Sequence, residues 1–171
     1  MRLSDRSIRE CLKDGSIIIV PDVYSIQPNG VDVRLGEKFI VTDDFGRTRE
    51  HIGKLLLRPN KFILGETLEH VTISPKLSGT ITGTSSRGRD GLLIHVSAGD
   101  IDPGWSGRLT LEIKNLNEHK SIWLYPGMRI GKILFDWMDQ EPEFPYGHPS
   151  LGSHYQGQTQ VSCSLEEDWK E

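Results

Sequence analysis

From Ile17 to Phe135 the apolar residues of this chain arrive in short β-branched runs, and turn residues stop most of them. Ile17-Ile18-Ile19-Val20 ends at Pro21. Val31, Val33 and Leu35 alternate with Asp32 and Arg34 ahead of Gly36, and Phe39-Ile40-Val41 continues beyond it. Leu55-Leu56-Leu57 halts before Pro59-Asn60, and Phe62-Ile63-Leu64 and Val71-Thr72-Ile73 are separate runs, the second closed by Ser74-Pro75. Leu92 to Val96, Leu109 to Ile113, Ile122-Trp123-Leu124 and Ile130 to Phe135 follow, the last two divided by Pro126-Gly127. β-branched residues at period two suit pleated, half-buried strands. Many short strands at this spacing predict a mainly β sandwich or barrel.

One helix precedes the strands. Ser4 is placed to cap it with a Leu3–Ile8 staple, Ile8, Cys11 and Leu12 make its apolar stripe, and Gly15 stops it. Between the third and fourth runs, Asp43 to Lys54 is polar and reads as an exposed loop or hairpin tip. From Glu141 the chain turns rich in Pro, Gly, Ser and Gln, without an apolar period. We therefore expect a single domain over residues 1–140 and a tail over 141–171, either flexible or ordering over a ligand. A chain of 171 residues can bury such a core without disulfides or metals. Its net charge of -4 argues against a nucleic-acid surface, and it has no apolar run long enough to cross a membrane as a helix. The opening residues lack the apolar centre of a signal peptide, and the two cysteines, Cys11 and Cys163, suit reduced thiols. These features predict a cytoplasmic protein.

Candidate chemistry concentrates between Gly83 and Glu112, GTSSRGRDGLLIHVSAGDIDPGWSGRLTLE. On a strand, Leu109, Leu111 and Ile113 share one face and leave Thr110, Glu112 and Lys114 on the other. Glu112 is then either a solvated outer residue or a general acid–base carboxylate. Ser85, Ser86 and Arg89 form either an ordinary polar turn or a loop that holds a polar ligand. Asp102 can cap the Pro103-Gly104 turn, Trp105 can fill the core or wall a pocket, and His95 is a lone histidine among apolar neighbours. The H-x-E and P-C-x-x-C pair of zinc-dependent nucleotide deaminases is absent.

Ordered blocks along the whole chain carry a resemblance: LSDRSI, QPNGVDVRLG, TSSRGRDGL, HVSAGDIDPGWSGRLTLEI, LYPGMRIGKI, PYG and HYQGQ. Together they resemble the dCTP deaminases of the dUTPase superfamily. The resemblance implies a distorted jelly-roll or β-barrel protomer with a C-terminal lid, assembled as a homotrimer with sites between subunits. It implies hydrolytic, zinc-independent deamination of dCTP to dUTP and ammonia. Glu112 would activate water for attack at C4 of cytosine, with Ser85 and Arg89 holding the attacked position. Ser86 would meet phosphate, Asp102 the sugar 3′-hydroxyl, and Ser97 and Ala98 the pyrimidine edge. Trp105 would wall the sugar pocket, His95 would lie near the base, and Tyr146, Tyr155 and Gln158 would close over the nucleotide. Mg²⁺ would arrive only on the triphosphate. A dUTPase, a bifunctional enzyme ending at dUMP and a non-catalytic nucleotide-binding homologue are the alternatives. Two residues depart from the pattern: Thr84 stands where Arg is usual before the paired serines, and His154 where Lys is common. Arg87 is the cation placed to compensate for them.

Overall fold

The computed structural model describes residues 1–22, 25–43 and 45–165. Helix α1 (Asp5–Asp14) is followed by β1 (Ile17–Val20), β2 (Ser25–Gln27), β3 (Gly30–Arg34), β4 (Lys38–Thr42), β5 (Thr48–Ile52), β6 (Leu55–Leu57) and β7 (Phe62–Ile73). Then come β8 (Leu77–Gly83), the short helix α2 (Ser85–Arg89), β9 (Leu92–Leu93), β10 (Asp100–Ile101), β11 (Ser106–Asn115), β12 (Ile122–Leu124) and β13 (Arg129–Trp137). The mainly β expectation and the N-terminal helix hold. Ser4 caps α1, Gly15 leaves it in the left-handed region at φ 81°, and Ile8 and Cys11 are its buried stripe.

Three antiparallel sheets result. One runs β5-β4-β7-β11-β9, with β1 also paired to β7; a second runs β10-β8-β13-β3-β2; the third is the β12–β6 pair. None of these strand paths returns to its starting strand among the described residues, so the domain is a set of packed open sheets rather than a closed barrel. The inward residues of the two large sheets form one core. Val31, Val33, Ile133 and Phe135 from one join Phe39, Val71, Leu111 and Ile113 from the other.

Several elements differ from the sequence expectation. The separate runs at 62–64 and 71–73 are one twelve-residue strand, β7, because the intervening polar residues stay in the sheet. Asp43 to Lys54 is a turn at its start, but Thr48–Ile52 is a true edge strand paired along β4. Of Leu92 to Val96, only Leu92 and Leu93 pair, and Val96 is exposed. The Ser-Ser-x-x-Arg turn is a single helical turn, α2.

The joint between β7 and β11 is irregular. Arg108 faces His70 but Thr110 faces Glu66, so Leu109 alone stands opposite Thr67, Leu68 and Glu69. Such a bulge leaves ladder groups without backbone partners. Here the Thr67 hydroxyl substitutes: it accepts from the Leu109 amide at 3.0 Å and donates to the Glu69 carbonyl at 2.7 Å. Glu66, at the edge of the bulge, and Glu69, within it, lie on opposite faces of β7, and both are fully buried. Glu69 accepts from the Arg34 amide and Nε at 2.8 and 2.6 Å, and Glu66 from Arg108 at 2.8 Å. A Thr67→Val substitution keeps the volume but strands a buried amide. It should lower the free energy of unfolding by about 1–3 kcal/mol in urea denaturation.

Candidate active site

Alternation along β11 decides the site's orientation. Leu109, Leu111 and Ile113 are buried, while Arg108, Thr110, Glu112 and Lys114 lie half-buried on the other face, as their spacing predicts. The β9 pairing reaches only Lys114 and Asn115, so most of that edge of β11 needs other partners. The C-terminal segment supplies them at one end: Gly157 donates to the Ser106 carbonyl and Arg108 to the Gln158 carbonyl, both at 2.8 Å. Further along, the Glu112 amide donates to His95 Nδ1 at 3.5 Å. Accepting at Nδ1 puts the His95 proton on Nε2, which is buried and has no hydrogen-bond partner among the described residues.

The loop after His95 wraps the Glu112 carboxylate. Oε2 accepts from the Val96 amide at 3.2 Å, the Ser97 amide at 2.9 Å and the Ser97 hydroxyl at 3.2 Å. Oε1 has no hydrogen bond among the described residues. One oxygen is anchored, and Glu112 lines a cavity of about 570 Å³. A carboxylate fixed in this manner can accept a proton from a ligand without reorienting.

Asp102 enters the cavity from the turn before β11. Trp105 donates to the Asp102 carbonyl at 3.1 Å, with Gly104 at φ 88°, a conformation that favours glycine. Trp105 is buried in the core and also lines the cavity, with the Tyr146 ring tilted against it at 5.4 Å. The Tyr146 hydroxyl accepts from the Tyr155 amide at 3.2 Å. Burial, ahead of the nearby Asp102 charge, holds the Tyr146 phenol above its ordinary value of 10.0.

The expected site residues divide into two groups. Glu112, His95, Ala98, Asp102, Trp105, Tyr146, Tyr155 and Gln158 line the cavity. Ser97 reaches it only through Glu112. Gln158 makes its hydrogen bonds inside the protein: Nε2 donates to the Arg108 carbonyl and Thr110 hydroxyl, and Oε1 accepts from Ser162. His154 is exposed and lies in a neighbouring hollow of about 540 Å³, which shares Asp102, Tyr146 and Tyr155 with the first. Ser85, Ser86, Arg87 and Arg89 are not among the cavity's lining residues. On α2, Ser85, Ser86 and Arg89 are exposed, and Arg87 pairs with Asp90 at 3.2 Å. The Thr84 hydroxyl just before them is buried without a hydrogen-bond partner among the described residues.

The sequence reading did not single out Thr110, Ser162, Cys163 or Ser164 as site residues, yet all four line the cavity. Thr110 was findable from its shared face with Glu112; the tail trio carries no period that points inward. Residues 166–171 of the expected tail lie outside the described residues.

A family model described as dCTP deaminase-like matches residues 2–138. The chain belongs to this family. Relatives agree along nearly the whole length. A protein of Methanobrevibacter smithii is 37% identical over 182 residues, covering 95% of this chain and 93% of its own. One from Corynebacterium jeikeium is 42% identical over 175 residues, covering 92% and 93%. Both are named dCTP deaminase, dUMP-forming. Among solved structures, the 2′-deoxycytidine 5′-triphosphate deaminase of Agrobacterium tumefaciens has a TM-score of 0.67 at 22% identity, covering 80% of this chain. The match takes in 48% of that chain, so this protein spans about half its length. The dUTPase of Staphylococcus bacteriophage 80alpha has a TM-score of 0.53 at 18% identity, covering 76% and 94%. At these identities the two structures speak for the shared fold.

The raised Tyr146 phenol makes a prediction. Its neutral form stabilises the folded state fully below the ordinary value, and that contribution is lost as the pH rises through the folded one. In a spectrophotometric titration, subtracting Tyr146→Phe from wild type should leave one phenol with a midpoint above 10.0. A midpoint at or below that value would contradict the burial argument.

Proposed function

We propose that this protein deaminates the cytosine of dCTP and carries the nucleotide on to dUMP. The observation that carries this reading is Glu112, anchored through one carboxylate oxygen and lining a cavity of about 570 Å³. The near full-length likeness to proteins named dCTP deaminase, dUMP-forming supports the substrate and the final product. A product of dUMP replaces the simpler expectation that the reaction ends at dUTP.

In the proposed chemistry Glu112 takes a proton from water, and the resulting hydroxide adds to C4 of cytosine. The carboxyl group returns that proton to N3, then takes the proton of the new C4 hydroxyl. It passes this proton to the amino group, which leaves as ammonia as the C4 carbonyl of uracil forms. The water is activated without zinc, since the chain lacks the ligand motifs of the zinc deaminases. His95 Nε2 and the small Ala98 face the base, and Asp102 the sugar. A second water attacks the α-phosphate, releasing pyrophosphate and leaving dUMP. Mg²⁺ enters as part of the substrate, on the triphosphate. Ser86 and Arg87 contact the phosphates, Arg87 exchanging Asp90 for them, and His154 lies towards that end of the nucleotide.

Ser85 and Arg89 complete the site from an adjacent subunit of a homotrimer, Arg89 favouring the charge that develops on addition to the ring. This assignment is supported by their position on an exposed helical turn outside the cavity that contains Glu112. The domain and its C-terminal tail act as one unit in this scheme, the tail closing the nucleotide's outer side.

Two experiments test the reading. Glu112→Gln should reduce ammonia release from dCTP by roughly 10²–10⁴-fold, the range of a lost general acid–base. Chromatography of the wild-type reaction should show dUMP and pyrophosphate. Unchanged ammonia release in the variant would end the glutamate mechanism, and accumulation of dUTP alone would end the dUMP-forming one. For the shared site, Glu112→Gln and Arg89→Ala chains are each expected to be nearly inactive alone. Co-assembled in equal amounts, they should regain about a quarter of wild-type activity, since random trimers pair two intact halves at one interface in four. No recovery in mixed trimers would place the whole centre within one subunit.

A further inference from the structure

The proposed chemistry leaves one fully buried carboxylate of the cavity's surroundings without a role. Glu66 sits in the β7 bulge with both oxygens engaged: Oε1 accepts from Arg108 at 2.8 Å and Oε2 from the Val161 amide at 2.8 Å. The chain makes room for it at Gly36, where a Cβ would stand 2.5 Å from the Glu66 Cγ. Val161 is the only buried residue among the described positions of the tail, 141–165. Immediately beyond it, Ser162, Cys163 and Ser164 form part of the cavity wall. Arg108, the other partner, is itself paired through its backbone with Gln158, so the same carboxylate grips the segment at two points. If the segment lifts, a buried charge loses one of its two partners, which is strongly unfavourable.

We propose that Glu66 is a positioning residue for nucleotide binding: by holding the Val161 amide and Arg108, it fixes the outer wall of the cavity that contains Glu112. This rests on the nucleotide reading above for its kinetic consequence, though the docking it describes does not. Glu66→Gln retains the volume but offers a single carbonyl acceptor to two donors. The dCTP KM should rise about ten-fold, the factor that 1.4 kcal/mol represents, while kcat stays within about two-fold. Without nucleotide, amide hydrogen exchange across residues 156–165 should speed up by a similar factor, and saturating dCTP should return it to the wild-type rate. Val161→Pro removes the donated amide and leaves the Glu66–Arg108 pair whole, so it should reproduce both effects even if Glu66→Gln folds poorly.

Exchange at the wild-type rate in both variants would overturn the proposal. Faster exchange with an unchanged KM would reduce Glu66 to a structural contact and overturn the positioning role. A wild-type protein that converts no dCTP would sink the catalytic reading instead. The exchange comparison needs no nucleotide and would still decide whether Glu66 holds the segment.

Discussion

The bulge between β7 and β11 governs the geometry of this molecule. Two extra residues on β7 leave its side-chain alternation in phase, so Glu66 shares the face of Thr110 while Glu69 lies on the opposite one. Both carboxylates are nonetheless fully buried, and Thr67 supplies the hydrogen bonds that the interrupted backbone cannot make. Burying two acids is tolerable only because each meets an arginine, since an unpaired buried charge is strongly destabilising. Arg34 thereby ties β3 to β7, and Arg108 ties β11 to it, so the two large sheets and the strand bearing Glu112 share one fixed frame.

This same feature limits what could be read from the sequence. The alternation of Leu109, Leu111 and Ile113 is local, so the face presented by Glu112 was legible without any knowledge of the fold. The stretch Gly65 to His70 was not: two acids within it look like a turn, because the arginines that neutralise them lie 42 and 35 residues away in the chain. The helix was legible because Ser4 and Gly15 act within one turn of their own position. The tail's course was legible only through resemblance. Its docking relies on backbone groups of Ser106 and Arg108, and backbone groups carry no residue-type signal.

The site divides along a similar line. Residues contributed by β11, the His95–Ala98 loop, the Asp102 turn and the tail converge on one cavity within a single chain. Those on α2 do not, although in sequence they stand closer to Glu112 than Tyr146 does. Within one chain, sequence proximity therefore does not bring α2 and Glu112 to the same cavity. The departures at Thr84 and His154 fall outside that cavity, at α2 and at the neighbouring hollow. The carboxylate geometry is thus built independently of Thr84 and His154.

Gly157 and Gln158 cover an otherwise unpaired stretch of β11. An uncovered strand edge is a template for pairing with any extended peptide, including another copy of the same chain. The tail segment that lines the cavity therefore also shields a strand edge from strand-to-strand pairing, and its backbone contacts to Ser106 and Arg108 serve solubility as well as cavity shape.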